Sequence, residues 1–357
     1  MKIIHSSKRC HYLARAAIFL IALAFICGML GCGSNVAPCP SQNLEIRTWY
    51  DLNAVRDNRC GNHILMNDLN SSTPGYYELA GPMANGGRGW EPIGYSGIDE
   101  LKNPFKGTFD GQGYEIHDLF IHDSDPSMFF ELGLFGLSAG VIKNIRIVNA
   151  TVIGVGRSRV GALVGLNNYG AVRNCYSTGN VSGNQKVGGL VGYNGYGTVS
   201  DSYSAASVTG NWSVGGLVGE NTGNVNNNGT VSNSYSTGNV TGENGVGGLV
   251  GRSREYGGGG STIGSSYSTG TVTGNWSVGG LVGENTGTVS DSFWDTETSG
   301  QSTSAGGTGK NTTEMQDITT FSGAGWNIIA VALNETNPAY IWNIANNVTY
   351  PFLSWQS

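Results

Sequence analysis

Charged residues are few in this sequence, and segments long enough for helices are missing from its repeated part. Asp, Glu, Lys and Arg make up 12% of the 357 residues, whereas hydrophobic residues make up 39%. A disordered chain is typically highly charged and weakly hydrophobic, so this composition argues against disorder. Asn, Ser, Thr and Gly supply the polarity instead, and we expect a folded protein of short extended segments and turns.

One phrase recurs five times through the middle of the chain. It begins as Val-Gly-Ala-Leu-Val-Gly at Val160 and returns as Val-Gly-Gly-Leu-Val-Gly at Val187, Val214, Val246 and Val278. The spacings are 27, 27, 32 and 32 residues, and repetition at such a period is typical of a solenoid. Each unit holds three β-prone segments separated by turns, and the 58 glycines suit the corners between them. The sequence therefore predicts an all-β fold, a parallel β-helix.

The phrase resembles the GLUG repeat of secreted and surface proteins, and the likeness covers about Gly133 to Trp294. This resemblance implies a right-handed β-solenoid at the cell envelope and little about chemistry. Some proteins that carry the repeat are immunoglobulin-cleaving metalloproteases, whose His-Glu-x-x-His zinc signature is absent here. His63, His117 and His122 are followed by Ile, Asp and Asp. We therefore predict no catalytic residues, no metal and no cofactor.

The amino terminus predicts export. An apolar run from Ala16 to Leu30 is too short for a membrane span, which needs about 20 residues, and four basic residues precede it, as in a signal peptide. The run ends in a segment that resembles a lipoprotein lipobox, with Cys32 as the lipidated first residue. Met29 and Leu30 depart from the residues that the lipobox prefers, so ordinary cleavage with full secretion stays an alternative.

Removal of residues 1–31 takes away four basic and no acidic residues, which moves the net charge from −6 to −10. Nucleic acid and anionic membrane surfaces are therefore disfavoured as partners. Export also brings the chain into an oxidising compartment, which favours a disulfide between Cys39 and Cys60. The predicted organisation is a signal peptide 1–31, a tether 32–43, a cap with the first coils 44–130, the repeats 131–300 and a capping segment 301–357.

Both ends of the solenoid are expected to be capped. Trp49, Leu52 and Val55 form one helical stripe before a strand that begins at His63, an entry that resembles the capping segment of secreted β-helices. The aromatic-rich end from Trp326 to Trp355 resembles the closing hairpin of GLUG proteins and is predicted to cap the last coil, after a short helix at 313–317.

Alignment of neighbouring units predicts which columns of side chains face outward. It places Cys175 in an inward column of small residues and Tyr176 in an outward column that is expected to be exposed. An exposed aromatic row can lie against sugar rings or a flat protein surface, although the rings can also stack only to stabilise the face. The predicted ligand-binding column is Tyr176, Tyr203, Tyr235, Tyr267 and Phe293.

Other columns are weaker candidates for a site. Trp212 and Trp276 fall in turns, and the turn asparagines Asn167, Asn194, Asn221 and Asn285 are expected to form a hydrogen-bonded ladder rather than a binding site. Carboxylates alternate with other residues, Asp201 and Asp291 with Asn174, Asn233 and Ser265, and Glu220 and Glu284 with Leu166, Tyr193 and Arg252. The densest acidic group is Asp110, Asp118, Asp123 and Asp125, with His117 and His122 nearby.

The pattern favours a non-catalytic surface protein with an adhesin-like role. Its partners are then a glycan or an extracellular protein, and the membrane through a lipid at Cys32. Two alternatives stay open. A carbohydrate-active enzyme needs clustered carboxylates, for which the acidic group above is the best candidate, although incidental surface polarity or a cation-binding loop is favoured there over catalysis. A structural envelope scaffold needs no site at all.

Overall fold

The described strands stack into a solenoid of four parallel sheets. The computed structural model describes residues 39–96, 102–123, 131–156 and 159–356, and apart from Cys39 these belong to one unit, Pro40–Ser357. The predicted signal peptide, the predicted lipidation residue Cys32, and Asp125 of the acidic group lie outside the described residues. Within the part of the chain that is described, no helix is long and apolar enough to cross a membrane.

The first two sheets contain nine and twelve strands, all paired in parallel. Strands of the first sheet are Glu45–Ile46, Asn62–Leu65, Thr108–Asp110, Val141–Lys143, Ala171–Arg173, Thr198–Ser200, Gly229–Ser232, Ser261–Gly264 and Thr288–Ser290. Strands of the second are Glu115–His117, Phe120–Asp123, Arg146–Gly154, Tyr176–Ser182, Tyr203–Ser204, Ser207–Thr209, Tyr235–Ser236, Val240–Thr241, Tyr267–Ser268, Val272–Thr273, Phe293–Asp295 and Thr308–Lys310.

The third and fourth sheets contain six parallel strands each and complete the coils. Strands of the third are Glu131–Leu132, Arg159–Gly161, Gln185–Gly188, Trp212–Gly215, Asn244–Gly247 and Trp276–Gly279. Strands of the fourth are Phe135–Ser138, Val164–Asn168, Val191–Gly195, Val218–Asn224, Val250–Tyr256 and Val282–Asn285. The register aligns the repeated phrase with itself, Val187 with Val214 and Val214 with Val246, so the predicted parallel β-helix is confirmed.

Columns of identical side chains fill the interior. The leucines of the repeated phrase, Leu163, Leu190, Leu217, Leu249 and Leu281, are all fully buried. The predicted inward column of small residues is buried too, from Cys175 through four serines. Burial raises the pKa of the Cys175 thiol to about 12, so this cysteine is a packed core residue, as the alignment predicts. The serine hydroxyls accept backbone N–H groups of the preceding coil, Ser202 from Cys175 and Ser234 from Ser202.

The glycines of the phrase lie where neighbouring backbones nearly touch. A Cβ on Gly215 would stand 2.0 Å from the carbonyl oxygen of Val218 and 2.6 Å from the backbone nitrogen of Gly251 in the next coil. Real Cβ atoms do not approach backbone this closely. The corner between the third and fourth sheets therefore excludes any larger residue at this position.

The amino-terminal cap forms as the helical stripe predicts. A helix spans Trp49–Ala54 and continues as a 3₁₀ turn, Val55–Asp57, with all three stripe residues fully buried. The hydroxyl of Thr48 accepts the N–H of Asp51 to cap it. Shorter helical turns follow at Tyr76–Leu79 and Ala84–Gly86, and an antiparallel pair joins Tyr95–Ser96 and Lys102–Asn103.

The last residues of the predicted tether are hydrogen-bonded to the first coil. Asn43 accepts the N–H of Asn62, and Pro40 accepts the N–H of Cys60, so residues 40–43 belong to the first coil. Cys39 and Cys60 are both disulfide-bonded. Their pairing with each other stays a prediction.

The carboxy-terminal segment, residues 301–356, does more than cap the last coil. Thr308–Lys310 adds a strand beyond Phe293–Asp295, and Ala305 donates to Val282, so this part covers the end of the solenoid as predicted. The remainder lies along the side of the coils, which corrects the expected position. Its elements are the helices Thr312–Met315 and Ile318–Ser322, after Thr296–Ser299, and a three-stranded sheet of Ile328–Ala330, Trp342–Ile344 and Phe352–Leu353.

Candidate functional site

The predicted tyrosine column forms a stacked ladder on the outside of the second sheet. We call its members Tyr176, Tyr203, Tyr235, Tyr267 and Phe293 the tyrosine ladder. Successive tyrosine ring centroids are 4.7, 4.8 and 4.9 Å apart. The rings of Tyr203, Tyr235 and Tyr267 are almost parallel to one another. The repeat places each ring one strand spacing from the next, so the stack follows from the register.

The expectation that this ladder is exposed is wrong for most of it. Tyr235, Tyr267 and Phe293 are buried because the carboxy-terminal segment covers them. The hydroxyl of Tyr267 donates to the carbonyl of Pro351 at 2.5 Å, and the Gln356 amide donates to the hydroxyl of Tyr235 at 2.7 Å. Burial raises the pKa of Tyr267 well above its ordinary value. Three of the five proposed ligand-binding residues are therefore packing residues.

An open groove lies near Tyr176, the first member of the tyrosine ladder. Trp355 stacks near Tyr176, with ring centroids 6.4 Å apart, and its indole N–H donates to the backbone oxygen of Asp201 at 3.0 Å. Two cavities of about 490 and 340 Å³ flank this tryptophan, and both are lined by Trp355 and Asn174. We call the two cavities together the groove. Further lining residues are Asp201, Asn327, Pro338, Ala339, Tyr340, Ile341, Leu353 and Ser354 on one side, and Asp110, Gln112, Gly113, Asn144 and Arg146 on the other.

A row of turn residues lies between the first and second sheets, and Asn144, Asn174 and Asp201 of this row line the groove. Asn144, Asn174, Asp201 and Asn233 all have positive φ, between 47 and 53°. Asn and Asp tolerate this left-handed conformation better than other non-glycine residues, which explains their recurrence in the column. We call these four residues with Asp110 the turn ladder.

Amide groups along the turn ladder point toward the amino-terminal coils. Asn144 donates to the Asp110 carboxylate at 2.9 Å, Asn174 donates to the Asn144 amide oxygen at 3.1 Å, and Asn233 donates to the Asp201 carboxylate at 3.1 Å. Asp201 has no amide N–H to donate onward. The chain of hydrogen bonds is therefore interrupted between Asn174 and Asp201, at the groove beside Trp355.

Asp110 is held by an ion pair and two hydrogen bonds. Lys143 forms an ion pair with it at 3.0 Å, and Asn144 and the backbone N–H of Gln112 also donate to it. Burial raises the pKa of Asp110, but these hydrogen bonds and the Lys143 charge outweigh burial and lower it below its ordinary value. The carboxylate therefore stays ionised.

The described members of the acidic group bond to different partners. Asp118 accepts the Asn149 amide at 2.7 Å, while His117 pairs with Glu115 at 3.0 Å. Among the residues that the structure describes, no three His, Cys, Asp or Glu side chains stand where they could hold a metal ion. His122 and Asp123 lie on the adjacent strand Phe120–Asp123.

The turn asparagines that begin at Asn167 form a buried ladder, as expected. Asn167 donates to Asn194, and Asn194 donates to Asn221, each at 2.8 Å. All three are fully buried. Asn285, at the end of the column, bonds within its own turn to Gly287.

Other exposed groups lie on the third and fourth sheets. Trp212 and Trp276, two coils apart in one column, are 44% and 70% exposed. In the adjacent sheet Glu220 pairs with Lys186, and Arg252 stands between Glu220 and Glu284. As the alternation of the sequence predicts, this column brings no two carboxylates onto adjacent coils.

The groove depends on residues that the repeat pattern did not single out. Trp355 and Tyr340 belong to the carboxy-terminal segment, which has no repeated column to align with, and so no sequence signal placed them beside Asn174. Asp201 did carry a signal, because it is an acidic residue in a column of asparagines. Asp201 lines a groove only because Trp355 packs beside it, and the sequence did not indicate that contact.

The coil architecture and the glycine phrase define a parallel β-solenoid built from short repeats. The GLUG motif matches residues 156–182, 183–209 and 210–241, and the same phrase continues in register at Val246 and Val278. The chain therefore carries GLUG repeats within its β-solenoid.

Three known proteins are similar to this chain. Halomucin of Haloquadratum walsbyi is 34% identical over 158 residues, 43% of this chain and 2% of halomucin. A protein of Evansella cellulosilytica named as a candidate Gly-rich membrane protein is 36% identical over 100 residues, 27% of this chain and 10% of that protein. The chain thus spans a small part of both relatives.

The third is the crystal structure of a candidate immunoglobulin A1 protease from Bacteroides ovatus. It superposes with a TM-score of 0.62 at 20% identity, over 88% of this chain and 92% of that one. At this identity the likeness concerns the fold alone.

Proposed function

We propose that this protein is an exported, non-catalytic envelope protein that binds an extracellular ligand in the groove beside Trp355. The observation that carries the proposal is the composition of the groove, in which an aromatic wall faces a row of polar turn residues. Ligand sites are typically concave, with apolar walls and a few fixed polar groups. The names of the two sequence relatives support an envelope location, which agrees with the signal peptide that the sequence predicts.

The separation of carboxylates supports a non-catalytic role. Asp110 and Asp201 are the two carboxylates that line the groove, and Asn144 and Asn174 stand between them on the ladder. Three strand spacings of about 4.8 Å put them roughly 14 Å apart. Glycosidases hold their two carboxyl groups at about 5–9.5 Å. The enzyme alternative therefore lacks a suitable pair in the groove.

Tyr340→Ala tests the groove as the binding surface. Tyr340 lines the larger cavity and is only partly buried, so its removal takes away contact area without disturbing the core. We expect the mature protein to show saturable binding on an array of glycans and extracellular-matrix proteins, and the variant to bind at least about fivefold more weakly, a loss of roughly 1 kcal/mol. Surface plasmon resonance with the strongest array ligand gives the ratio.

Trp276→Ala is the matched control, since it removes an exposed aromatic residue outside the groove. Its binding is expected to equal that of the wild type. If Trp276→Ala lost ligand binding and Tyr340→Ala kept it, the site would lie on the face of the third sheet that carries Trp212 and Trp276. The absence of any ligand would favour the scaffold alternative.

We also propose that Cys32 carries the lipid that holds the protein at the envelope. The expected result is that the exported chain incorporates radiolabelled palmitate and partitions into the detergent phase, whereas Cys32→Ser does neither. Mass spectrometry of the mature amino terminus provides a second reading. A mature chain that begins elsewhere and stays in the aqueous phase would show ordinary secretion instead.

A further inference from the structure

The interruption in the turn ladder leaves two hydrogen-bond acceptors, one on Asn174 and one on Asp201. Asn174 uses its amide N–H on Asn144, and Asp201 accepts one N–H from Asn233 through its Oδ1 oxygen. Within the described residues the Asn174 amide oxygen and the second Asp201 carboxylate oxygen have no hydrogen-bond partner. Both residues line the larger cavity, so the two side chains that carry these acceptors, on adjacent coils, border the same open space.

We propose that this acceptor pair is the recognition point for a neutral saccharide, which is bound through its hydroxyl groups. The inference rests on the groove being the ligand site and names the class of ligand that it takes. The two turn residues are one strand spacing apart, about 4.8 Å, so neighbouring hydroxyls of one sugar ring can each donate to one acceptor. Hydrogen bonds to an ionised acceptor are stronger than neutral ones, so Asp201 contributes most of the recognition.

The walls of the groove suit the rest of a sugar. Trp355 is held in place by its N–H bond to the Asp201 backbone, and its ring borders both cavities. Aromatic rings with a fixed orientation offer flat apolar area to the C–H face of a pyranose while their polar edges stay hydrogen-bonded. Tyr340 and Ile341 also line the larger cavity and add apolar area to its wall.

Charge argues against other ligand classes. The charged groups that line the groove are Asp201, Asp110 and Arg146, and of these Asp110 is paired with Lys143 while Arg146 lies beside Glu115. Among the described residues that line the larger cavity, Asp201 is the charged one, and its negative charge repels an acidic sugar or a phosphate. A calcium ion takes 6–8 oxygen ligands, and one carboxylate with one amide oxygen is too few.

Asp201→Asn is the decisive variant. An asparagine at this position gains the amide N–H that the ladder lacks, and it can donate to Asn174 as Asn174 donates to Asn144. The substitution also keeps a residue that tolerates the positive φ of 50°. We therefore expect a melting temperature equal to or above that of the wild type and a loss of saccharide affinity of about tenfold or more.

The matched control is Asp291→Asn, the same change at the same turn of the last coil. Asp291 has a φ of 46° and is not among the residues that line the groove. Its affinity is expected to equal that of the wild type.

The probe is an array of neutral, amino-sugar and acidic oligosaccharides, followed by titration calorimetry of the full mature chain with the strongest neutral member. Neutral binding that Asp201→Asn loses and Asp291→Asn keeps supports the proposal. Equal binding by both variants overturns the acceptor pair, and the proposed function then stands if Tyr340→Ala still weakens binding. A preference for acidic sugars or for a protein overturns the ligand class alone. Absence of all binding overturns both proposals.

Discussion

Trp342→Ala is expected to release the carboxy-terminal segment from the tyrosine ladder. Trp342 is fully buried, and its ring centroid lies 6.0 Å from Tyr235, 5.9 Å from Tyr267 and 4.8 Å from Trp326. Truncation of a buried tryptophan to alanine costs about 3–5 kcal/mol. This is enough to unpack a segment that is held on the ladder chiefly by these rings.

The effect should stay local. In a solenoid each coil contacts only its neighbours, so stability is close to a sum of nearest-neighbour contributions. Hydrogen exchange followed by mass spectrometry is expected to show lost protection over residues 326–356 and retained protection over the strands from Trp212 to Val250. Loss of protection throughout would mean that the segment and the coils unfold together, and unchanged protection would mean that the rings do not hold the segment.

Two further variants sharpen this test. Trp276→Ala removes a tryptophan that is 70% exposed and should change the free energy of unfolding by no more than about 0.5 kcal/mol. Trp342→Phe keeps most of the buried area. The indole N–H of Trp342 has no hydrogen-bond partner within the described structure, so its removal leaves no acceptor unsatisfied. The phenylalanine variant is therefore expected to lie much closer to the wild type than the alanine variant.

These contacts explain why a double Tyr203, Tyr235 alanine variant is a poor test of ligand binding. Tyr235 is buried and accepts a hydrogen bond from Gln356, so its removal disturbs the packing of the segment that carries Trp355. Lost binding would then report on folding. Variants at Tyr340 and Asp201 avoid this difficulty because they line the groove without being part of the buried cluster.

The solenoid could be predicted from the sequence because identical phrases must stack in register. The alignment of neighbouring units directly predicts that Val187 pairs with Val214 and Tyr203 with Tyr235. The inward position of Cys175 followed in the same way, since a column has one direction along the whole sheet. Such inferences need only the period of the repeat.

The position of the carboxy-terminal segment could not be obtained this way. Trp326, Trp342 and Trp355 have no equivalents in the repeats, so no column indicates which surface they cover. A hairpin that caps the last coil and one that lies along the coils bury the same aromatic residues. The exposure of Tyr267 was therefore wrongly predicted although its outward direction was right. The groove shares this dependence, because its wall is Trp355.

Gly215→Ala is expected to destabilise the coils themselves. The added Cβ would stand 2.0 Å from the carbonyl oxygen of Val218, and the atoms it meets are all backbone, so no flexible side chain can move aside. Overpacking of this kind typically costs about 1–3 kcal/mol and occasionally more. The repeats agree with this constraint. The second glycine of the phrase is replaced by Ala162 in the first copy, but the first glycine is unchanged in all five.

Gly264→Ala provides the comparison, since it adds the same methyl group within a strand of the first sheet. The nearest atom to its Cβ would be the Ser290 hydroxyl oxygen at 3.6 Å, an ordinary contact. Gly264 is the last residue of the strand Ser261–Gly264 and does not have the positive φ that would favour glycine, so this variant should melt close to or above the wild-type temperature. Circular dichroism of the two variants against temperature gives the difference directly. Equal melting of both would show that the corner between the third and fourth sheets can open, and that another constraint keeps glycine in the phrase.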